Sequence, residues 1–261
     1  MSAYESIQAI NWSSLKHLAT SPLLYRWRVD HPEPPKPAYI LGSAIHCLLL
    51  EPADFPSRFA EFAGTRRGRD WDEWQRDHPG RQSLKPDEFQ QVERTVAAVR
   101  AHRGAMAILD GCRHEEPLTW VEPQTGLACK GRLDALNANY VVDLKSARDV
   151  EPELFTRASA RYLYHGQLAW YHDGAVAAGR LAADAQPPYL IAVQSDGPHD
   201  VVVWRIPPAV LDRGRALYRR LLSRWRSCTE ADWWPGCAPD VQTLTLPLWS
   251  SGATTTNEEE F

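Results

Sequence analysis

Two aspartates and a lysine stand close together in Lys130-Gly-Arg-Leu-Asp134 and Val141-Val-Asp143-Leu-Lys145. Side chains alternate along an extended strand, so Asp143 and Lys145 share a face. Asp134 can join them from the neighbouring strand of a hairpin. Two carboxylates and one ammonium then converge. A hard divalent cation such as Mg²⁺ takes one or two carboxylates and keeps waters and phosphate oxygens in its shell. Held by Asp134 and Asp143, it would lower the pKa of a bound water and stabilise charge on a phosphodiester during in-line attack. Lys145 would orient or deprotonate the attacking water if its surroundings depress its own pKa. A lone Asp-x-Lys also fits an ion pair on a half-exposed strand, so the reading needs support from elsewhere in the chain.

Two segments supply it. Leu41-Gly-Ser-Ala-Ile-His46-Cys-Leu-Leu-Leu50 is apolar nearly all round a helix, with Ser43 and His46 as the exceptions. A core histidine is the usual occupant of such a position, but an imidazole entering a carboxylate cluster is a third protein ligand. In Tyr164-His-Gly-Gln167-Leu-Ala-Trp-Tyr171, Gln167 and Tyr171 lie four apart and stack on one helix face.

The elements that must position these groups are legible as periodicity. Asn11 to Arg28 reads as two short helices meeting at Ser21-Pro22, followed by a proline-stiffened connector through Pro37 and a helix from Ala38 to Leu50. Residues 63 to 85 are polar and read as a long loop. A helix starts at Pro86 and runs to about Ile108. Strands at Leu118–Glu122, Ala128–Leu136 and Tyr140–Lys145, with turns at Gln124-Thr-Gly126 and Asn137-Ala-Asn139, form an antiparallel meander. Helices follow at Glu153–Ala158 and Leu163–Ala178, then strands at Tyr189–Gln194 and Val201–Ile206, and a last helix from Pro208 to Cys228. The fold class expected is α/β, a mixed central sheet flanked by helices, with the His46 helix across the active edge of the sheet. Residues 1–249 read as one domain, with a helical lead to 37 and a core at 38–228; 250–261 reads as a disordered tail.

Composition sets outer bounds. With 261 residues, 44% of them apolar, the chain can bury a sizeable core. No run of about 18 apolar residues and no signal-peptide pattern occurs, so a soluble, cytoplasmic protein with no membrane partner is expected. Five cysteines without C-x-x-C spacing read as free thiols in a reducing compartment. A net charge of −4 gives no global attraction to DNA, so contacts must come from metals or from local basic clusters. Those clusters are Arg26 with Arg28, Arg66 with Arg67 and Arg69, and Arg219, Arg220, Arg224 and Arg226.

The order and spacing of a helical His, G-x-x-D, D-x-K nine residues later and Q-x-x-x-Y further on resembles the RecB-like branch of the PD-(D/E)xK nucleases. Ser13 to Tyr25, the Gly-x-Ala-x-His-Cys segment ending at Pro52, Arg66 to Trp74 and Trp234-Pro-Gly236 extend the likeness to RecE-type exonucleases over about residues 8 to 249. The resemblance implies a metal held by His46, Asp134, Asp143 and the main-chain carbonyl of Leu144. It makes Lys145 the catalytic lysine, and sets Gln167 and Tyr171 to buttress the site and contact the DNA backbone. A family carboxylate precedes G-x-x-D; Glu115 and Glu116 compete for that place, and Glu116 is favoured as an outer-shell or second-metal group. Arg26, Arg28, Arg66 and Arg69 are unranked candidates for DNA contact.

The implied activity is exonucleolytic degradation of one strand of linear duplex DNA from 5′ to 3′ with Mg²⁺, or Mn²⁺ in its place. It would leave 3′ tails for phage or prophage recombination, beside a single-strand annealing partner. Relatives form rings of three or four subunits around DNA. The four cysteine ligands of an iron-sulfur cluster are missing, since Ser21 occupies the early position and only Cys228 and Cys237 lie late in the chain. No Gly-x-x-x-x-Gly-Lys-Ser/Thr loop is present, so the chain carries no motor of its own. The rival reading is a catalytically idle DNA-end or protein-binding module with the same fold.

Overall fold

The computed structural model describes residues 4, 6–33, 36–238 and 240–245; the tail expected at 250–261 lies outside them. The element order is β1 (Ile10–Asn11), α1 (Trp12–Leu15), a 3₁₀ turn (Lys16–Ala19), α2 (Pro22–Asp30), α3 (Pro37–Leu50), α4 (Phe55–Arg58), β2 (Phe59–Glu61), α5 (Arg69–Asp77), β3 (Gln82–Leu84), α6 (Pro86–Ala101) and α7 (Arg103–Leu109). Then come β4 (Arg113–Val121), β5 (Ala128–Leu136), β6 (Val141–Ala147), α8 (Pro152–Arg161), α9 (Tyr164–Ala177), β7 (Tyr189–Gln194), β8 (Val201–Arg205) and α10 (Pro208–Ala231). Proline at the first turn starts α2, α3, α6, α8 and α10, where its missing N–H costs nothing.

The meander is pinned by its turns. At the first, Glu122 is buried and its carboxylate accepts from the N–H groups of Gln124 and Thr125 and from the Thr125 hydroxyl. At the second, Asn137 Oδ1 accepts from Asn139 N and Tyr140 N. These are local side-chain substitutes for a backbone turn.

The principal sheet is mixed. β4 runs antiparallel along one edge of β5, whereas the other edge is shared: β1 pairs parallel with Cys129 and Lys130, and β6 pairs antiparallel only at Ala135–Val142 and Leu136–Val141. Beyond those two pairs β5 and β6 fork. β6 continues beside β7 in parallel, and β8 closes the sheet antiparallel to β7. The fork is therefore interior to the sheet, not at the edge where the sequence placed the active helix. One apolar layer, built from α1, α9 and α10 with Trp120, Trp170 and Tyr218, covers one face. A second, from α3, α6 and α7, covers the other around Val142, Leu144 and Ile191.

Two expectations change. Residues 63 to 85 are not a structureless loop: they hold α5 and β3, and β3 pairs in parallel with β2. Their aromatic residues make a small core of their own. Trp71 stacks on Trp74 at 5.1 Å, Trp74 stacks on His78 at 4.6 Å, and the Trp74 indole donates to the Glu61 carbonyl at 2.9 Å. The helix expected from Pro86 to Ile108 breaks at His102, whose extended backbone and ring, accepting from Ala105 N at 3.0 Å, cap α7 instead.

The α9–α10 contact is tight enough to require glycine. A Cβ at Gly214 would lie 2.1 Å from the His165 carbonyl oxygen and 2.8 Å from the Ala169 methyl. Backbone cannot yield as a flexible side chain does, so Gly214→Ala is expected to cost about 3 kcal/mol, at the upper end of overpacking effects. Equilibrium urea unfolding measures it; a loss under about 0.5 kcal/mol, the range of an ordinary surface change, would show that the helices separate freely.

Candidate metal centre

The fork gathers groups from four elements. Asp134 sits where the β5–β6 ladder has just ended, and its Oδ2 accepts from Leu144 N at 2.7 Å in place of a strand carbonyl. His46, on α3, enters from the other side of that carboxylate, with Nδ1 3.6 Å from Asp134 Oδ1. Glu115 completes the group: one ligand atom from each of His46, Glu115 and Asp134 lies within 4.8 Å of the others. Such a trio can hold a metal ion.

Glu115 reaches the cluster through an unusual backbone. β4 and β5 pair on both sides of Glu115 and Asp134 but not at them, and Glu115 has φ 49°, in the left-handed region. That conformation costs a non-glycine residue about 1–2 kcal/mol, and strain of this kind persists where surrounding contacts fix it. Glu116, favoured from sequence, is turned elsewhere. Its carboxylate binds Arg180 at 3.0 Å and lies 3.7 Å from Arg113. The signal that distinguishes them is hairpin parity. With Val121 opposite Ala128 and Trp120 opposite Cys129, the residue across from Asp134 is Glu115.

Asp143 and Lys145 belong to the same fork but form a separate pair. Val142, Leu144 and the Ser146 hydroxyl beside Gly42 face α3, so the alternation of β6 turns Asp143 and Lys145 toward α9. Lys145 Nζ lies 2.5 Å from Asp143 Oδ2 and 5.1 Å from the centre of the Tyr164 ring. Asp143 is only 1% exposed, and apart from that ammonium no donor among the described residues reaches either of its oxygens. It is not among the three groups that already cluster for a metal.

Charge follows from this layout. Burial raises the Asp143 carboxyl to about 6, with Asp134 adding to the rise and Lys145 opposing it. Burial also works to raise Asp134, but His46, Lys145 and the Leu144 N–H outweigh it and hold the group below its ordinary value. Lys145 runs against expectation: burial favours the free amine, yet Asp143 and Asp134 outweigh it and raise the pKa. With no metal bound the side chain is thus an ammonium, suited to orienting the attacking water and not to deprotonating it, the other role that the sequence reading allowed. His46 is raised likewise, Asp134 outweighing its burial.

Behind the fork, Gln167 Nε2 lies 3.3 Å from the Tyr171 hydroxyl. Burial, then the charges of Asp143 and Asp134, raise the Tyr171 phenol, so it stays neutral. A Cβ at Gly131 would come 3.0 Å from the Tyr171 ring, which explains the glycine of Lys130-Gly-Arg-Leu-Asp134.

Each of the four arginines offered for DNA contact has an acidic partner. Arg26 pairs with Asp30, Arg28 with Glu33 and Arg69 with Glu73, while Arg66 binds Ser83 and Glu88 inside the β2–β3 unit. In the α10 cluster, Arg224 and Arg226 donate to the carbonyls of Leu18 and Thr125. Two cations that sequence reasoning did not single out stand nearer the chemistry. Arg132 pairs with Glu115 at 2.8 Å. Lys16, lowered by its own burial and then by the charge of Lys145, has no acidic partner among the described residues.

The donor set suits a hard divalent cation. Carboxylate oxygens from Glu115, Asp134 and Asp143 with one imidazole match such ions, and Oδ1 of Asp143, which lacks even the lysine that Oδ2 faces, is a buried acceptor of the kind a cation satisfies.

Comparison with known proteins agrees with this architecture. No curated protein sequence matches the chain significantly. A solved structure named "Putative exonuclease", from Eubacterium rectale, aligns over 96% of this chain and 96% of its own with a TM-score of 0.65 and 14% identity, which is a likeness of fold. A family model described as "PDDEXK-like domain of unknown function (DUF3799)" matches residues 12–246. That match runs from the first residue of α1 to beyond the end of α10, and the chain belongs to this PDDEXK-like family.

Proposed function

We propose that the protein is a divalent-metal-dependent exodeoxyribonuclease that degrades linear duplex DNA from 5′ to 3′ and leaves 3′ single-stranded tails for recombination. The observation that carries the reading is the convergence of His46, Glu115 and Asp134 within 4.8 Å beside a Lys145–Asp143 pair buried at the same fork. His46, Glu115 and Asp134 would hold Mg²⁺ or Mn²⁺, and Asp143 would add a fourth donor. In an extended strand the N–H and C=O of one residue leave on the same side. The Leu144 N–H points at Asp134, so its carbonyl also leaves toward the fork as a main-chain donor.

Bound there, a divalent ion supplies Lewis-acid polarisation of the scissile phosphodiester. The Lys145 ammonium offers three donors to orient the attacking water and to neutralise charge building on the phosphate. Tyr171, neutral and tied to Gln167, lies against β5 at Gly131 and buttresses the fork from behind. The RecE-like polarity, the annealing partner and a trimeric or tetrameric ring rest on the motif resemblance, and the name of the Eubacterium rectale structure is consistent with an exonuclease.

Duplexes labelled separately at each 5′ and 3′ end, incubated with Mg²⁺, Mn²⁺ or EDTA, test the proposal. The expected result is metal-dependent release of the 5′ label first, with none in EDTA. Metal-dependent release from the 3′ end reverses the polarity; binding of ends without hydrolysis in either metal makes the protein a DNA-end module.

A further inference from the structure

Three tyrosines on the two helices that flank the fork, α3 and the start of α9, include two that are largely exposed. Tyr162 is 55% exposed and Tyr39 66% exposed, both large aromatic rings facing solvent. Tyr164, stacked on Tyr162, lies beside the fork, with Lys145 Nζ 5.1 Å from its ring centre.

Their placement is specific. Residues two apart on a helix point to opposite sides and cannot stack. Yet the Tyr162 and Tyr164 rings are 5.8 Å apart at 27°, because Leu163 between them has φ 60° and caps α9 in a left-handed conformation. A leucine carries that strain to hold the two rings on one side. The Arg161 guanidinium sits 6.0 Å over the Tyr162 ring, adding a cation to the platform. On the opposite helix, Tyr39 precedes His46 by two turns of α3, about 10 Å along the axis and on the same face. Gly42, between Tyr39 and His46, lets α3 lie close to β6, where a Cβ would meet the Ser146 hydroxyl at 3.2 Å.

We propose that Tyr39 on α3 and the Tyr162–Tyr164 stack at the start of α9 form the walls of an aromatic slot that stacks an unpaired base of the DNA strand beside the metal centre. A charged sugar-phosphate chain passing Lys145 and Lys16 brings its bases within reach of these rings, and every base presents a π-face to them, so the slot selects single-stranded character and not sequence. The inference rests on the nucleic-acid reading of the fork and deepens it. The enzyme grips the strand that it cuts after the end has frayed.

The test is binding in EDTA, where hydrolysis is stopped, with a fluorescein-labelled oligothymidylate and an abasic sugar-phosphate oligomer of equal length. Tyr162→Ala and Tyr39→Ala are expected to weaken oligothymidylate binding about tenfold each, Tyr162→Phe to retain it, and all variants to bind the abasic oligomer as the wild type does. Both side chains are exposed, so the fold should be unaffected. Quenching of 2-aminopurine in an unpaired terminus bound to the wild-type protein gives a readout that needs no variant. Ala variants that bind oligothymidylate within twofold of wild type, equal losses on both oligomers, or unquenched 2-aminopurine would overturn the slot. A wild-type protein that hydrolyses DNA with metal while failing these assays keeps the nuclease reading and loses only the slot. One that passes them without hydrolysis in any metal keeps the slot and loses the nuclease.

Discussion

Replacing Lys145 by methionine is expected to lower metal-dependent hydrolysis by about 10³-fold, the effect of removing a positioned donor at a reacting phosphate. The size follows from the solitude of the ammonium. Among the described residues Lys145 is the one donor that reaches Asp143, and it lies at the fork beside Tyr164. Methionine keeps much of the length and apolar contact but leaves Asp143 buried without a countercharge. The Asp143 carboxyl, already raised to about 6 by burial and by Asp134, must rise further. At neutral pH it would then be partly protonated and a poorer metal donor, so metal affinity should fall together with rate and recover as pH is raised. A group held neutral by a raised pKa ionises only above that pKa, which fixes the sign. Lys145→Arg keeps the charge but replaces a compact ammonium with a wider fork, so it should restore metal affinity more than rate. Titration calorimetry with Mn²⁺ beside single-turnover hydrolysis separates the two. Unchanged hydrolysis in the methionine variant would remove Lys145 from the mechanism.

Much of this was legible before any coordinates. β5 and β7 run over the residues that alternation and composition assign to them; His46 and Asp134 meet at the fork, Asp143 and Lys145 pair beside it, and Gln167 and Tyr171 pair behind it. What periodicity misses is structure made by few residues. α5 carries no long apolar stripe; its stability comes from Trp71, Trp74 and His78 stacking with Phe62 across the β2–β3 unit, a tertiary arrangement that no local pattern reveals. The break at His102 likewise depends on one side chain turning back to cap the next helix. At the site, alternation alone pairs Asp134 with Asp143, because it assumes a ladder that continues. The ladder stops after two pairs, the strands part, and the carboxylates divide between His46 and Lys145. The pKa of Lys145 was beyond reach for the same reason: its sign depends on the depth of burial against two anions whose distances only the fold sets.

The clearest separation between the fold and a motif count lies in two adjacent glutamates. Glu115→Gln is expected to weaken divalent-metal binding by about 100-fold, at least the loss seen when an outer ligand partner is removed, while Glu116→Gln leaves it within about threefold. Gln is isosteric with Glu and keeps a hydrogen-bonding carbonyl, so the comparison isolates charge. At 115 that charge stands with His46 and Asp134 in a cluster whose ligand atoms lie within 4.8 Å. Its carboxyl is raised by burial first and then by Asp134, which together outweigh the Arg132 guanidinium at 2.8 Å and His46, so removing the charge relieves more than the lost ion pair costs in the metal-free site. Glu115→Gln should therefore leave the apo-protein as stable or slightly more stable while it loses metal affinity, a pairing that a purely structural role for this side chain would not produce. At 116 the carboxylate instead ties Arg180 to β4, and its loss should appear as a modest drop in thermal stability with metal affinity kept. Metal titration and thermal melts of the two variants, in EDTA and in Mn²⁺, give all four values. Equal metal affinities in the two variants would mean that the left-handed turn at Glu115 serves the hairpin alone, and the ligand set would reduce to His46 and the two aspartates.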